Sequence, residues 1–358
     1  MTISSKARQT AFVRKRMIAA LVIIAAAAGG ASFMASNWES EARQESLDRT
    51  MSNFLSNLTP MSTLDTVYQD QDGDLLADPP DNPQLCVSQA ELTISFIASG
   101  DSANRAEVWQ PVLDALKMST GISAKFLRIE NSKDQLAALR NGTLHVTAFS
   151  SGAVPTAVNS CGFTPFCTFG REDGSSGYYM QFIVRADSDV KDLADLRQRK
   201  IVFTRPRSNS GYKAAMVLLM QKHKMLPERD YLWSFSYGHA ESIQAVAAGE
   251  ADAAPVASDV FDREVANDRV QGEDFRVVYE SEKFPPVAFG YGYNLTPELR
   301  EGIRAALLGL DWSGTPLEKE FGGDDSTKFV ALTYKDDWAN IRRVDEAAHA
   351  AKQELLGD

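Results

Sequence analysis

The sequence predicts an α/β protein of two lobes, preceded by an N-terminal signal or anchor and an acidic linker. Three observations predict it. From Glu91 onward, short apolar runs alternate with stretches whose apolar residues recur at helical spacing. That alternation suggests strands of a parallel sheet joined by crossover helices. The chain has 358 residues, and its first part differs in composition from the rest. Setting that part aside leaves roughly 265 residues, which suits two lobes of ordinary domain size.

The N-terminal segment, residues 1–36, reads as an export signal or an uncut membrane anchor. Lys6, Arg8, Arg14, Lys15 and Arg16 form a positive flank to the apolar run from Met17 to Ala28, and Gly29-Gly30-Ala31-Ser32 follows. A charged flank, a short apolar core and small residues are what an export signal requires. Ala31 to Ala35 extends the run toward spanning length. The protein is therefore expected in the periplasm, secreted, or held on the inner membrane by this segment. No cysteine stands just after the run to accept a lipid.

Residues 37–90 read as a stalk and acidic linker, with a helix over Glu39 to Leu58. Asp70, Asp72, Asp74, Asp78 and Asp81 crowd around Gly73. Alternating carboxylates about a glycine turn can wrap a hard cation, so a structural calcium is one reading. The spacing resembles one calcium loop of thrombospondin type 3 repeats, though it lacks their cysteine. The other reading is a solvated linker, because like charges extend a chain and Pro79-Pro80 blocks helix. No other cofactor is indicated. Three cysteines and four histidines make no zinc pattern. Cys161 and Cys167 flank a turn signal in Cys-Gly-Phe-Thr-Pro-Phe-Cys, and an oxidising compartment would permit a local disulfide; two buried thiols are the other reading.

From Glu91 the elements follow in order. Leu92 to Ala98 reads as a strand, Asn104 to Met118 as a helix, Ala124 to Ile129 as a strand and Lys133 to Arg140 as a helix stopped by Asn141-Gly142. Leu144 to Phe149 is a third strand. Tyr178 to Arg185 is a long strand, and Leu193 to Leu196 a short helix. Next come a strand over Lys200 to Thr204 and a helix over Gly211 to Met225. Tyr231 to Tyr237 and Asp252 to Val256 are strands, with helices over Glu241 to Ala248 and Val260 to Asn267. Val287 to Asn294 is a strand, and Pro297 to Leu308 and Asp337 to Leu356 are helices.

The chemistry concentrates where the Lys200 strand meets the next helix. Arg205-Pro206-Arg207-Ser208-Asn209-Ser210-Gly211 places hydroxyls, a backbone-accessible glycine and two guanidiniums at a helix start. Free N–H groups and the helix dipole there make an anion site, and Arg205 can add a bidentate donor. His239 follows the next strand and can supply a further N–H. Ser150 and Ser151 end the third strand and Ser99 follows the first. All three sit at carboxyl ends of strands, where open α/β sheets bind ligands. Net charge is −11, which argues against nucleic acid as a partner and leaves anion capture to local groups. Motifs of hydrolases, zincins and Walker loops are absent from the sequence.

With these residues in order, the chain resembles the periplasmic solute-binding proteins of phosphonate, phosphite and phosphate ABC importers. The resemblance covers about Leu92 to Gln353. It is carried by Gly177-Tyr178-Tyr179, Ser208-Asn209-Ser210-Gly211-Tyr212 and Tyr237-Gly238-His239-Ala240-Glu241-Ser242, leading to Ala248-Gly249-Glu250-Ala251-Asp252. Where the family usually shows Ser-Thr-Ser-Gly, this chain has Asn209 in the second position. The resemblance implies a type II periplasmic-binding-protein fold with two crossing hinge strands, Tyr178 to Arg185 and Val277 to Asn294. Lobe 1 is then 91–185 with 277–358, and lobe 2 is 186–276. It further implies that Ser208, Asn209, Ser210 and His239 hold the ligand's oxygens, that the chain is not an enzyme, and that it serves as a monomer delivering its anion to a membrane permease. Asp259 matches a family position that binds ligand amines, while the second such position, near Val287, has no acidic residue. Two rivals share the fold: an anchored oxyanion sensor, and a phosphoester-acting enzyme with Ser210 and His239 as nucleophile and base.

Overall fold

The computed structural model describes residues 63–87, 90–96, 105–322 and 325–356, all within the compact unit Phe54–Asp358. The signal or anchor (1–36), the stalk helix and Ser99 lie outside the described residues. No helix among the described residues is long and apolar enough to cross a membrane.

The chain first builds β1 (Glu91–Phe96), α1 (Gln110–Thr120), β2 (Ser123–Phe126), α2 (Ser132–Arg140), β3 (Val146–Phe149), α3 (Val154–Cys161) and β4 (Phe163–Gly170). Local chemistry sets the limits. Asn131 accepts the Asp134 N–H and caps α2, while Gly121, at φ 71°, ends α1 in the left-handed region that glycine tolerates. The second run is β5 (Tyr178–Arg185), β6 (Lys200–Phe203), a helical run Asn209–Lys222 with α4 (Ala214–Val217) at its centre, β7 (Leu232–Phe235), α5 (His239–Ala247), β8 (Ala253–Ala257), α6 (Ser258–Ala266) and β9 (Phe275–Phe284). The chain then returns through β10 (Ala288–Gly292), α7 (Pro297–Leu308), α8 (Pro316–Phe321), β11 (Lys328–Ala331), α9 (Tyr334–Asp337) and α10 (Ala339–Leu356).

Two sheets result, ordered β11-β4-β10-β3-β1-β2 and β7-β6-β8-β5-β9. Pairs β1–β2, β1–β3 and β6–β7 are parallel, as the alternation predicts. Both sheets are nonetheless mixed. β10 enters from the other sheet and so runs antiparallel to β3 and β4, and β5 runs antiparallel to β8 and β9. Each sheet packs its own apolar core. Trp109, Phe96, Phe289, Phe169, Trp312, Phe321 and Phe329 fill the first, and Ile183, Val256, Ile243 and Phe261 anchor the second. Full burial of each such side chain contributes about 1.5–3 kcal/mol.

Two expectations are corrected. The sequence reading gives Tyr178–Arg185 and residues 277–284 to lobe 1, yet β5 and β9 pair with each other inside the second sheet. The passages between sheets fall at 171–177 and at 285–287, where Pro285-Pro286 lacks the N–H groups to continue a ladder. The disulfide is also overturned: Cys161 and Cys167 are free and buried. Cys161 closes α3, Gly162 (φ 63°) turns the chain, and Cys167 lies well along β4. A strand rises about 3.3 Å per residue, which carries the second sulfur out of disulfide reach. Pro165, taken as a turn signal, sits inside β4 beside the irregular register opposite Phe289 and Gly290, where a missing N–H is tolerated.

Candidate functional site

β3 and β6 end at one seam between the sheets. After Phe203 the chain runs from Thr204 into the helical run opened by Ser208. The Ser208 Oγ caps that run by accepting the Gly211 N–H at 3.1 Å. The opening turn, Asn209–Lys213, is π-helical, and its first backbone bond is Lys213 N–H to Ser208 O at 3.0 Å. A wide turn of this kind leaves the Asn209 and Ser210 N–H groups without an acceptor inside the helix. Asn209 and Ser210 are nonetheless 2% and 1% exposed. A side chain at Gly211 would overlap Thr204, whose own N–H donates to Gly211 O at 3.0 Å, so the glycine is needed for that approach.

The opposing face comes from the turn after β3. A Cβ on Gly152 would lie 2.6 Å from Arg207 O and 2.8 Å from Asn209 N, so the two backbones touch. Ser150 is half-buried, and its carbonyl accepts the Ala153 N–H at 2.7 Å. Ser151 Oγ is held by Pro285 O at 2.6 Å, and Ser151 O accepts the Trp338 Nε1–H at 2.9 Å. Two cations tie the faces together. Lys213 Nζ donates to Gly152 O at 2.7 Å and to Asp345 on α10, and Arg207 donates to Ser132 Oγ at 3.2 Å.

Tyr178 lies at the centre. Its buried hydroxyl bonds to Ser151, Asn209 and Ser210, and burial raises its pKa. His239 opens α5, and its Nδ1 accepts the Ala257 N–H at 3.1 Å. Burial, with help from Arg205 and Arg263, lowers its pKa from 6.5 to about 4. The ring is therefore neutral above about pH 5 and carries its proton on Nε2. Because the unfolded ring binds a proton more readily, this residue stabilises the fold above pH 6.5, and that contribution is lost as pH falls toward 4. Arg205 is exposed and donates through Nε to Tyr237 O, at the rim near His239.

Sequence reasoning placed Ser208, Asn209, Ser210, Gly211, Ser150 and Ser151 at this seam, with His239 and Arg205 beside it. It missed Lys213, Thr204 and Asp345, and it gave Tyr178 only as part of a motif. Lys213 did leave a signal: it is the one charged residue between Asn209 and Met220. An isolated charge in an apolar helix must find a partner.

The family model for ABC transporter, phosphonate, periplasmic substrate-binding proteins matches residues 94–338. The chain belongs to this family. The phosphonates-binding periplasmic protein of Escherichia coli (strain K12) is 21% identical over 232 residues, covering 64% of this chain and 68% of that one. Among solved structures, a binding protein component of an ABC phosphonate transporter from Pseudomonas aeruginosa superposes with a TM-score of 0.62 at 19% identity. It covers 74% of this chain and 89% of its own. A Prochlorococcus marinus protein solved in complex with methylphosphonate gives a TM-score of 0.61 at 13% identity, over 75% of this chain and 99% of that one. At these identities the structural likeness shows the type II periplasmic-binding-protein fold.

Proposed function

We propose that the protein binds a small phosphorus oxyanion, a phosphonate, phosphite or phosphate, between its lobes and delivers it to an ABC permease outside the cytoplasm. The observation that carries this reading is the buried opening turn at the seam, where the Asn209 and Ser210 N–H groups lack intrahelical acceptors. Such groups stabilise an anion through hydrogen bonds and the helix dipole. Residues Ser208, Asn209, Ser210, Gly211 and His239 form the core of the site, with Ser150, Ser151 and Arg205 around it. The periplasmic family and the anion-adapted turn favour the same class of ligand.

A receptor fits better than an enzyme with a Ser210–His239 pair. A general base needs a free imidazole lone pair, and that of His239 is occupied by the Ala257 N–H. The expected result is stoichiometric binding without turnover of phosphoesters. Loss of a hydrogen bond to a charged group costs about 1.5–3 kcal/mol. Calorimetry with phosphate, phosphite and methylphosphonate should therefore show His239→Ala, which loses the Nε2–H donor, weakened by roughly ten- to hundredfold. Ser210→Ala, which removes the hydroxyl that holds Tyr178 against the turn, should weaken binding too. Unchanged affinities in folded variants would remove these residues from the site.

For the acidic loop we propose one bound calcium. Carboxylate oxygens of Asp70, Asp72 and Asp74 converge within 4.8 Å. Asp78 instead accepts the Gln71 N–H at 2.7 Å, and Asp81 lies outside the group of three. Burial, together with the charges of Asp72, Asp70 and Asp78, raises the Asp74 pKa, and a cation would relieve that crowding. Lys335 ties the loop to the body through Gly73 O at 2.9 Å. Chelation is expected to speed proteolysis between residues 65 and 90. Equal cleavage with and without calcium would leave the segment as a linker.

A further inference from the structure

Two buried side-chain oxygens of the anion turn, Thr204 Oγ1 and Asn209 Oδ1, have no hydrogen-bond partner among the described residues. A hydroxyl can donate or accept, but an amide oxygen can only accept. Which amide atom of Asn209 is left over follows from counting protons. Ser151 Oγ lies 2.6 Å from Pro285 O, 3.2 Å from Pro286 O and 3.2 Å from the Tyr178 hydroxyl. A serine has one proton, and carbonyls can only accept, so that proton goes to them. The Tyr178 proton then goes to Ser151 Oγ. Ser210, the third side chain on that hydroxyl, must then donate to the Tyr178 oxygen, which also faces Asn209 Nδ2 at 3.5 Å. Asn209 must present its NH2 there, so its Oδ1 is the atom left over, in a residue 2% exposed. An acceptor left unsatisfied in such a place costs about 1–3 kcal/mol.

We infer that Asn209 Oδ1 is a specificity-determining acceptor that takes a hydrogen bond from a P–OH group, so that the site selects the singly protonated oxyanion. This rests on the proposed anion site and states which form of the ligand it takes. The remaining contacts are donors: the Asn209 and Ser210 N–H groups and neutral His239 Nε2–H. A fully deprotonated oxyanion satisfies all of them yet sets an oxygen lone pair against Oδ1. The monoanion satisfies the whole set.

The pH dependence isolates this role. The charged or titratable groups around the turn are Arg205, Arg207 and Lys213 on its own segment, Tyr178 on β5, His239 at the start of α5, Asp259 on α6 and Asp345 on α10. His239, with a pKa of about 4, stays neutral between pH 6 and 9. Burial keeps Tyr178 protonated there. Asp345, raised by burial, is unchanged by a substitution at 209 and serves as the internal control.

The experiment is calorimetric titration of the full chain with methylphosphonate and with sulfate from pH 6 to 9, for the parent and for Asn209→Thr. For the parent, methylphosphonate affinity should fall about tenfold per pH unit above the ligand's second pKa, because one proton must be retained. Sulfate, which has no proton to give, should bind at least tenfold more weakly at every pH. Asn209→Thr, whose hydroxyl donates or accepts, should flatten the slope and gain sulfate affinity. A flat parent profile, sulfate bound as well as methylphosphonate, or a parent-like slope in folded Asn209→Thr would overturn the acceptor role. Should that variant not fold, the parent profile decides alone. If methylphosphonate binds with a flat profile, the anion site stands and only the acceptor role falls. If no oxyanion binds at any pH, both fall.

Discussion

Asp345→Ala is expected to lower the melting temperature more than any other single substitution at the seam. Removing one partner of a buried ion pair costs about 3–5 kcal/mol, because the other charge stays behind without compensation. Which partner is removed matters. The Lys213 side chain is 6% exposed and that of Asp345 is 30% exposed. Without Asp345 the ammonium keeps Gly152 O and, at 6% side-chain exposure, little contact with water. Without Lys213 the carboxylate can hydrate or take up a proton, a change that burial already favours by raising its pKa. Asp345→Ala should therefore cost about 3 kcal/mol, and Lys213→Met less. For a domain of this size, about 3 kcal/mol corresponds to roughly 6–12 °C. Paired with Lys213→Met, the loss should be smaller than the sum of the two. Thermal denaturation of the four proteins measures this. A fall of only a degree or two for Asp345→Ala, or a larger one for Lys213→Met, would show that the ammonium is not confined as described.

Gly152→Ala should have the largest effect on ligand capture by a residue that carries no polar side chain. The added methyl would meet Arg207 O at 2.6 Å and Asn209 N at 2.8 Å. Both are backbone atoms and cannot swing aside as a side-chain tip can. The turn after β3 and the anion turn must then separate. Overpacking costs about 1–3 kcal/mol. Because that strain exists only while the lobes meet, it falls on the closed state and on ligand held within it. Methylphosphonate affinity should drop between about fivefold and a hundredfold. Scattering from the ligand-saturated variant should report a larger radius of gyration than the parent. Equal affinity and equal radius would mean that the seam yields without cost. The melting temperature should change less than for Asp345→Ala, because the strain can be released by opening.

Both predictions rest on contacts far apart in sequence, and this divides what could be read from the chain. The alternation of strands and helices was legible because side-chain periodicity and caps act within a few residues. Asn131 caps α2 and Ser208 caps the anion turn through groups three residues away. The hydroxyl turn was legible for the same reason: a helix start announces its unpaired N–H groups locally. Two local signals misled. Pro165 reads as a turn but lies inside β4, because the neighbouring strand is irregular there. The two cysteines are close in sequence, but an extended strand separates them.

The sequence by itself determined the alternating α/β elements and a helix start suited to an anion. Tertiary structure alone decided what surrounds that helix start. Lys213 meets Asp345 across 132 residues, Ser151 meets Pro285 across 134, and Tyr178 reaches Asn209 across 31. Periodicity is a property of neighbours and survives in a linear reading. Burial of a charge or an orphaned amide oxygen depends on which distant segments exclude water from it, and only the folded chain fixes that.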